Sequence, residues 1–191
     1  MYTPCNAPVV WRVPKLHRAL QQLLADVYLG DLDELLLELP PGTGDIAISV
    51  AQLVPGAEIL VVTTPQQAAA EVAERAGSIA VQTHQKIVGV VENMSGMPCP
   101  HCDEIIDVFG TGGGQRVAEG LTKTTGASVP VLGSIPIDVR LRESGDDGRP
   151  VVLSDPSSPA GSALRSIAGK LGGRQRGLAG LSLGITPRNK F

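Results

Sequence analysis

The chain has 191 residues, and 42% of them are hydrophobic, enough for one domain with a real core. Only 18% are charged, the net charge is -3 and aromatics make up 3%. Those values argue against a basic nucleic-acid surface, a polybasic membrane contact and the stacking platforms of single-strand binders. Three cysteines, an odd number, argue against a secreted disulfide framework. In a reducing compartment a CxxC pair serves metal or redox chemistry, so a cytoplasmic setting is expected. The opening MYTPCNAPVVWR lacks the basic flank and long apolar run of a signal peptide. No apolar stretch reaches the roughly 18 residues of a membrane span.

Taken in chain order, Leu16, Leu20, Leu23, Leu24 and Val27 recur at helical spacing, which predicts a helix over 11–29. The run Leu35-Leu36-Leu37-Glu38-Leu39, stopped by Pro40-Pro41, predicts a buried strand. Gly42-Thr43-Gly44-Asp45 reads as a tight turn, followed by a helix from Ile46 to Leu53. Ile59–Thr64 is a second expected strand, and the Ala-rich segment from Gln66 to about Thr83 a helix. A third strand is expected at Ile87–Val91, then a loop over 94–114 that carries the cysteines and Gly112-Gly113-Gly114. Gln115–Thr124 reads as helix, Val129–Ile135 as a fourth strand and Pro156–Leu171 as the last helix. Residues 1–172 are expected to form one domain and 173–191 a Gly- and Arg-rich tail lying loosely on its surface.

Apolar strands alternating with helices predict a three-layer α/β/α domain with a mostly parallel sheet. In such sheets ligands bind beyond the carboxyl ends of the strands. Glu38–Asp45, Thr63–Gln67, Glu92–Cys102 and Pro136–Asp138 are all expected there. Glycines at a helix start can offer N–H groups to a phosphate, but PPGTGD is not GxxxxGK[ST], and no segment of the sequence fits that pattern. An ordinary strand–helix turn is the alternative. An acid such as Glu38, ending an apolar strand before a Gly-rich turn, sits where P-loop ATPases hold Mg²⁺.

Cys99-Pro100-His101-Cys102 can bind one metal from a knuckle-shaped turn. Two thiolates are half of a tetrahedral set, and a two-fold axis between two chains would supply the rest. A residue inside the knuckle usually points outward, which makes His101 a poor ligand, and Cys5 stands alone. Thiol–disulfide exchange is the competing reading, weakened by the acids from Asp103 to Asp107, which are expected to raise the thiol pKa. Asn93 offers both donor and acceptor to an adenine edge, but a turn-stabilising Asn is the favoured reading from the residues alone, and Pro136-Ile137-Asp138 reads as a plain strand stop.

In order and spacing, PPGTGD, VENMS and CPHC, with WRVPKLHRALQQLL, DVFGTGGGQRVAEGL and LGSIPIDVRLRESGDDGRPVV, resemble the Mrp/ApbC family of iron–sulfur cluster carriers. These are relatives of the MinD and nitrogenase-iron-protein group of P-loop ATPases, and the likeness runs from about Trp11 to Arg188. The resemblance implies a P-loop NTPase-like domain, incomplete at its N-terminus because the family's first strand and phosphate loop precede the first residue that matches. It implies a [4Fe–4S] cluster held by Cys99 and Cys102 and bridging a homodimer, with apo iron–sulfur proteins as clients. It also implies ATP and Mg²⁺ chemistry, with Glu38 as the Walker B acid (Asp in the family) and Gly42, Thr43, Gly44 and Asp45 as switch II. Asn93, Pro136 and Asp138 would contact adenine. Without the phosphate loop, cluster carriage is the expected function and ATP-dependent action is expected to be impaired. A zinc-bridged structural dimer, or an ATPase half completed by another chain, are the alternatives.

Overall fold

The computed structural model describes residues 13–39, 45–99, 101–102 and 104–172. The first helix, α1 (Val13–Ala25), packs on α2 (Asp45–Leu53). Strand β1 (Ile59–Thr63) leads into α3 (Gln67–Gln82), then β2 (Ile87–Asn93). A hairpin of two short strands follows, β3 (Met97–Pro98) and β4 (Ile105–Ile106), then α4 (Gly113–Thr125) and β5 (Val131–Ile135). The chain ends in α5 (Val139–Asp146), α6 (Val151–Ser154) and α7 (Pro159–Gly172).

The main sheet has the order β1-β2-β5 and is parallel throughout. Its central strand reads Ile-Val-Gly-Val-Val-Glu-Asn and is buried from Ile87 to Glu92, as expected of a strand covered on both faces. On one face Val61, Val90, Ala80, Val117 and Leu121 join β1 and β2 to α3 and α4. On the other, Val91, Leu132, Ile135, Ala160 and Ile167 join β2 and β5 to α7. Helices on both faces make the three-layer α/β/α arrangement that the alternating apolar runs predict. Close layers need small residues: a Cβ on Gly133 of β5 would lie 2.8 Å from the Ile167 side chain of α7.

The sequence expectation fails at one strand. Leu35–Leu39 is irregular and exposed, with Leu36 at 82%. A strand exists only where a neighbour accepts and donates its ladder bonds, and this run pairs with no described strand. The 94–114 segment also carries more order than a loop, because β3 and β4 pair within it. Helices α5 and α6 lie where no helix is predicted. The expected PPGTG turn and the 173–191 tail lie outside the described residues. Among the described residues no helix is long and apolar enough to cross a membrane.

Candidate metal centre

The parallel register brings three strand ends to one edge of the sheet. Thr63 lies beside Glu92, and Asn93 beside Ile135. Beyond that edge the chain turns sharply. Met94 adopts φ 58°, Gly96 φ 74°, and the Asn93 side-chain oxygen accepts from the Met94 N–H at 2.9 Å. The Ser95 N–H donates to the Ile135 carbonyl, and the Ile137 N–H to the Gly96 carbonyl. These bonds tie the root of the hairpin to the end of β5.

From that root β3 and β4 project as an antiparallel pair, Met97 opposite Ile106 and Pro98 opposite Ile105. The Cys99 N–H donates to the Glu104 carbonyl at 2.9 Å, so the ladder continues one step, and His101 and Cys102 lie in a turn beyond it. Both cysteines are free thiols, Cys99 half-buried and Cys102 exposed. The backbone N–H of His101, then that of Cys102 and the Cys102 thiol, hydrogen-bond to the Cys99 sulfur and draw its pKa below the usual thiol value. This reverses the expectation that the neighbouring acids would raise it, because hydrogen bonds to the sulfur stabilise the thiolate more than burial opposes it. The thiolate is the form that binds metal. His101 is exposed, and no helix begins at Cys99, so the helix-capped thiol of disulfide exchange is not what surrounds it.

Among the described residues no cluster of three or more His, Cys, Asp or Glu side chains could hold a metal. Cys99 and Cys102 are the free thiols at this end of the hairpin, Cys102 facing solvent. Soft thiolates suit zinc or iron–sulfur centres, and either takes about four ligands.

The remaining predicted residues are more dispersed. Glu38 is exposed on the irregular segment instead of closing a strand. Gly42, Thr43 and Gly44 lie outside the described residues, and Asp45 opens α2. Asn93 pairs with Ile135 at the strand edge, one residue before Pro136. Asp138 caps α5: its carboxylate accepts from the Arg140 N–H at 2.9 Å, bonds the Arg140 guanidinium at 3.3 Å and reaches the Ala160 N–H at 3.4 Å.

Sequence reasoning placed Glu92 at this edge but gave it no role. It is 5% exposed on β2, with one carboxylate oxygen accepting from the Ser95 hydroxyl and the other from the Gly114 N–H, both at 2.6 Å. One buried acid thus joins the hairpin root to the first turn of α4, where a carboxylate also meets the positive end of the helix dipole. The signal was there: an acid inside an otherwise apolar strand has to find donors. Gly113 completes the junction, since a Cβ there would lie 2.4 Å from the Thr64 carbonyl oxygen. Arg116 spans the same gap, donating to the Pro65 carbonyl at 2.8 Å.

Comparison with known proteins identifies the family. Residues 1–172 match the family model of the NUBPL iron-transfer P-loop NTPases. An iron–sulfur cluster carrier protein of Mycobacterium tuberculosis is 65% identical over 189 residues, covering 99% of this chain and 49% of that protein. The chain spans about half the length of the curated relatives it matches. Among solved structures, a nucleotide-binding protein of Archaeoglobus fulgidus in complex with ADP superposes with a TM-score of 0.59 at 36% identity, covering 71% of this chain and 53% of its own. The cell-division ATPase MinD of Pyrococcus furiosus shares the fold, with a TM-score of 0.54 at 24% identity over 84% of this chain and 58% of its own. On the match over residues 1–172, the chain belongs to the NUBPL iron-transfer P-loop NTPase family.

Proposed function

We propose that the chain binds an iron–sulfur cluster between two copies of itself and passes it to apo iron–sulfur proteins. The observation that carries this is the half-site: two free thiols at the tip of a projecting hairpin, the Cys99 pKa drawn down by hydrogen bonds to its sulfur, with no further described ligand beside them. A two-fold axis completes four thiolates, the number a [4Fe–4S] cluster takes. Exposure suits a carrier, because cargo held at a tip can be reached by an acceptor's own thiolates. The carrier named at 65% identity supports the same reading. Nucleotide binding is a separate matter, since this sequence has no GxxxxGK[ST] segment.

Anaerobic reconstitution with iron and sulfide tests the proposal. The expected product is a brown dimer absorbing near 400 nm (roughly, as iron–sulfur centres do) with about one cluster per two chains. Cys99→Ser and Cys102→Ser should each lose cluster and dimer together, and Cys5→Ser should lose neither. A chain that keeps its full metal content as a monomer overturns the shared site. A colourless dimer that holds only zinc overturns cluster carriage.

A further inference from the structure

Between Asn93, the last residue of β2, and Gly113, the first of α4, the chain leaves the main sheet and returns to it. Both cysteines lie within that excursion, Cys99 four residues past Ser95. Its two ends meet at one side chain. Glu92 accepts from the Ser95 hydroxyl on the way out and from the Gly114 N–H on the way back, each at 2.6 Å. The approach is close: a Cβ on Gly114 would lie 2.9 Å from the Glu92 Cβ. Glu92 is itself rooted in the central strand, flanked by Thr63 of β1 and Ser134 of β5. A buried acid needs donors, but burial alone does not require that they come from the two ends of one excursion.

We infer that Glu92 is a positioning residue for the metal site: by clamping the two ends of the 94–112 excursion it fixes where the hairpin presents Cys99 and Cys102. The inference rests on the reading of those two thiols as metal ligands. Closing a chain segment costs entropy, and a metal that meets the segment already closed is spared that cost. With the clamp cut, the hairpin's own ladder remains, since Met97 and Pro98 still pair with Ile106 and Ile105. The two sulfurs then stay near each other, but the pair wanders relative to the sheet. A centre shared by two copies needs both pairs in one place, so each copy's wandering weakens it.

Co²⁺ alone is the probe, titrated anaerobically into the reduced full chain and read by its thiolate charge-transfer absorption. The temperature is one at which circular dichroism shows each variant folded. Glu92→Ala and Ser95→Ala should each raise the Co²⁺ concentration at half-saturation by about tenfold or more, the equivalent of about 1.4 kcal/mol. Ser95→Ala cuts the clamp from its half-buried end, so the test does not depend on Glu92→Ala folding. Glu92→Gln, whose amide can accept from Gly114 and donate to the Ser95 hydroxyl, should stay within about threefold of wild type. Ile167→Ala, in the core between β5 and α7, is the stability control. It should lower the melting temperature comparably to Glu92→Ala and leave half-saturation within about twofold. If Ser95→Ala binds Co²⁺ as tightly as wild type, or Ile167→Ala weakens binding as much as Glu92→Ala does, the clamp is structural only and the cysteine site stands. If the thiolate band is absent from wild type or survives Cys102→Ser, the cysteine reading falls and this inference with it.

Discussion

At the scale of single residues, Glu92 carries the most structural consequence. Its two oxygens take one hydrogen bond each, from Ser95 and from Gly114, within a strand that is otherwise apolar. Bonds to a charged acceptor contribute about 1.5–3 kcal/mol, against about 0.5–1.5 for neutral pairs. Glu92→Gln keeps the shape and can still accept from Gly114, so it should cost about 1 kcal/mol. Glu92→Ala leaves the buried Gly114 N–H without a partner and should cost about 3 kcal/mol. Urea unfolding monitored by circular dichroism would measure both. Equal stability of the Ala variant and wild type would show that the latch between hairpin root and α4 contributes nothing. Asp138 illustrates the same logic in a different setting. A residue expected at an adenine edge is engaged by the first turn of α5 and the start of α7.

At the scale of elements, a strand depends on its neighbour. Leu35–Leu39 has the composition of a buried strand, yet in this chain it is exposed and irregular. Its amides should therefore exchange with deuterium within seconds to minutes, while those of β2, paired on both sides, should be the slowest in the chain. Mass-resolved hydrogen exchange on peptides covering Leu32–Leu39 and Ile87–Asn93 would separate the two. Protection of Leu35–Leu39 comparable to β2 would mean that the run is paired after all. This also marks what the sequence could reveal. Runs such as Ile59–Thr63 and Val131–Ile135 were legible because apolar residues and their flanking turns specify a strand locally. The failure at Leu35–Leu39 is non-local, since no residue in the run says whether a partner edge exists. Helix α5, VRLRESGD, was illegible for the opposite reason: it buries none of its residues, and its Asp138 cap bond gave the only cue. The cysteine pair was plain from spacing. The hairpin that raises it was not, because strands of two residues leave no periodicity.

At the scale of the whole molecule, the proposed metal site and a nucleotide site would draw on different parts of the chain. The proposed metal half-site rests on the hairpin, and Glu92 ties the hairpin root to α4. Triphosphate binding needs a cradle of N–H groups, a Lys at the β- and γ-phosphates and a Ser or Thr on Mg²⁺, the parts a GxxxxGK[ST] loop supplies. No segment of this sequence has that pattern, and Glu38 lies exposed on an irregular stretch. What survives at the strand edge is Asn93, whose oxygen is already engaged by the Met94 N–H, with Pro136 one residue beyond its strand partner Ile135. Base contacts alone are weak, because charge-assisted bonds to the phosphates supply most of a nucleotide's affinity. We therefore expect the 191-residue chain to bind MgATP no tighter than about millimolar, roughly -4 kcal/mol, with no hydrolysis above background. Cluster uptake by the same preparation should not change when MgATP is added, since nothing then couples the nucleotide to the hairpin. Calorimetric titration and a phosphate-release assay decide the first two points, and reconstitution with and without MgATP the third. Micromolar binding together with turnover that disappears in Glu38→Gln would show that the chain assembles a phosphate site by another route and that the two chemistries remain joined.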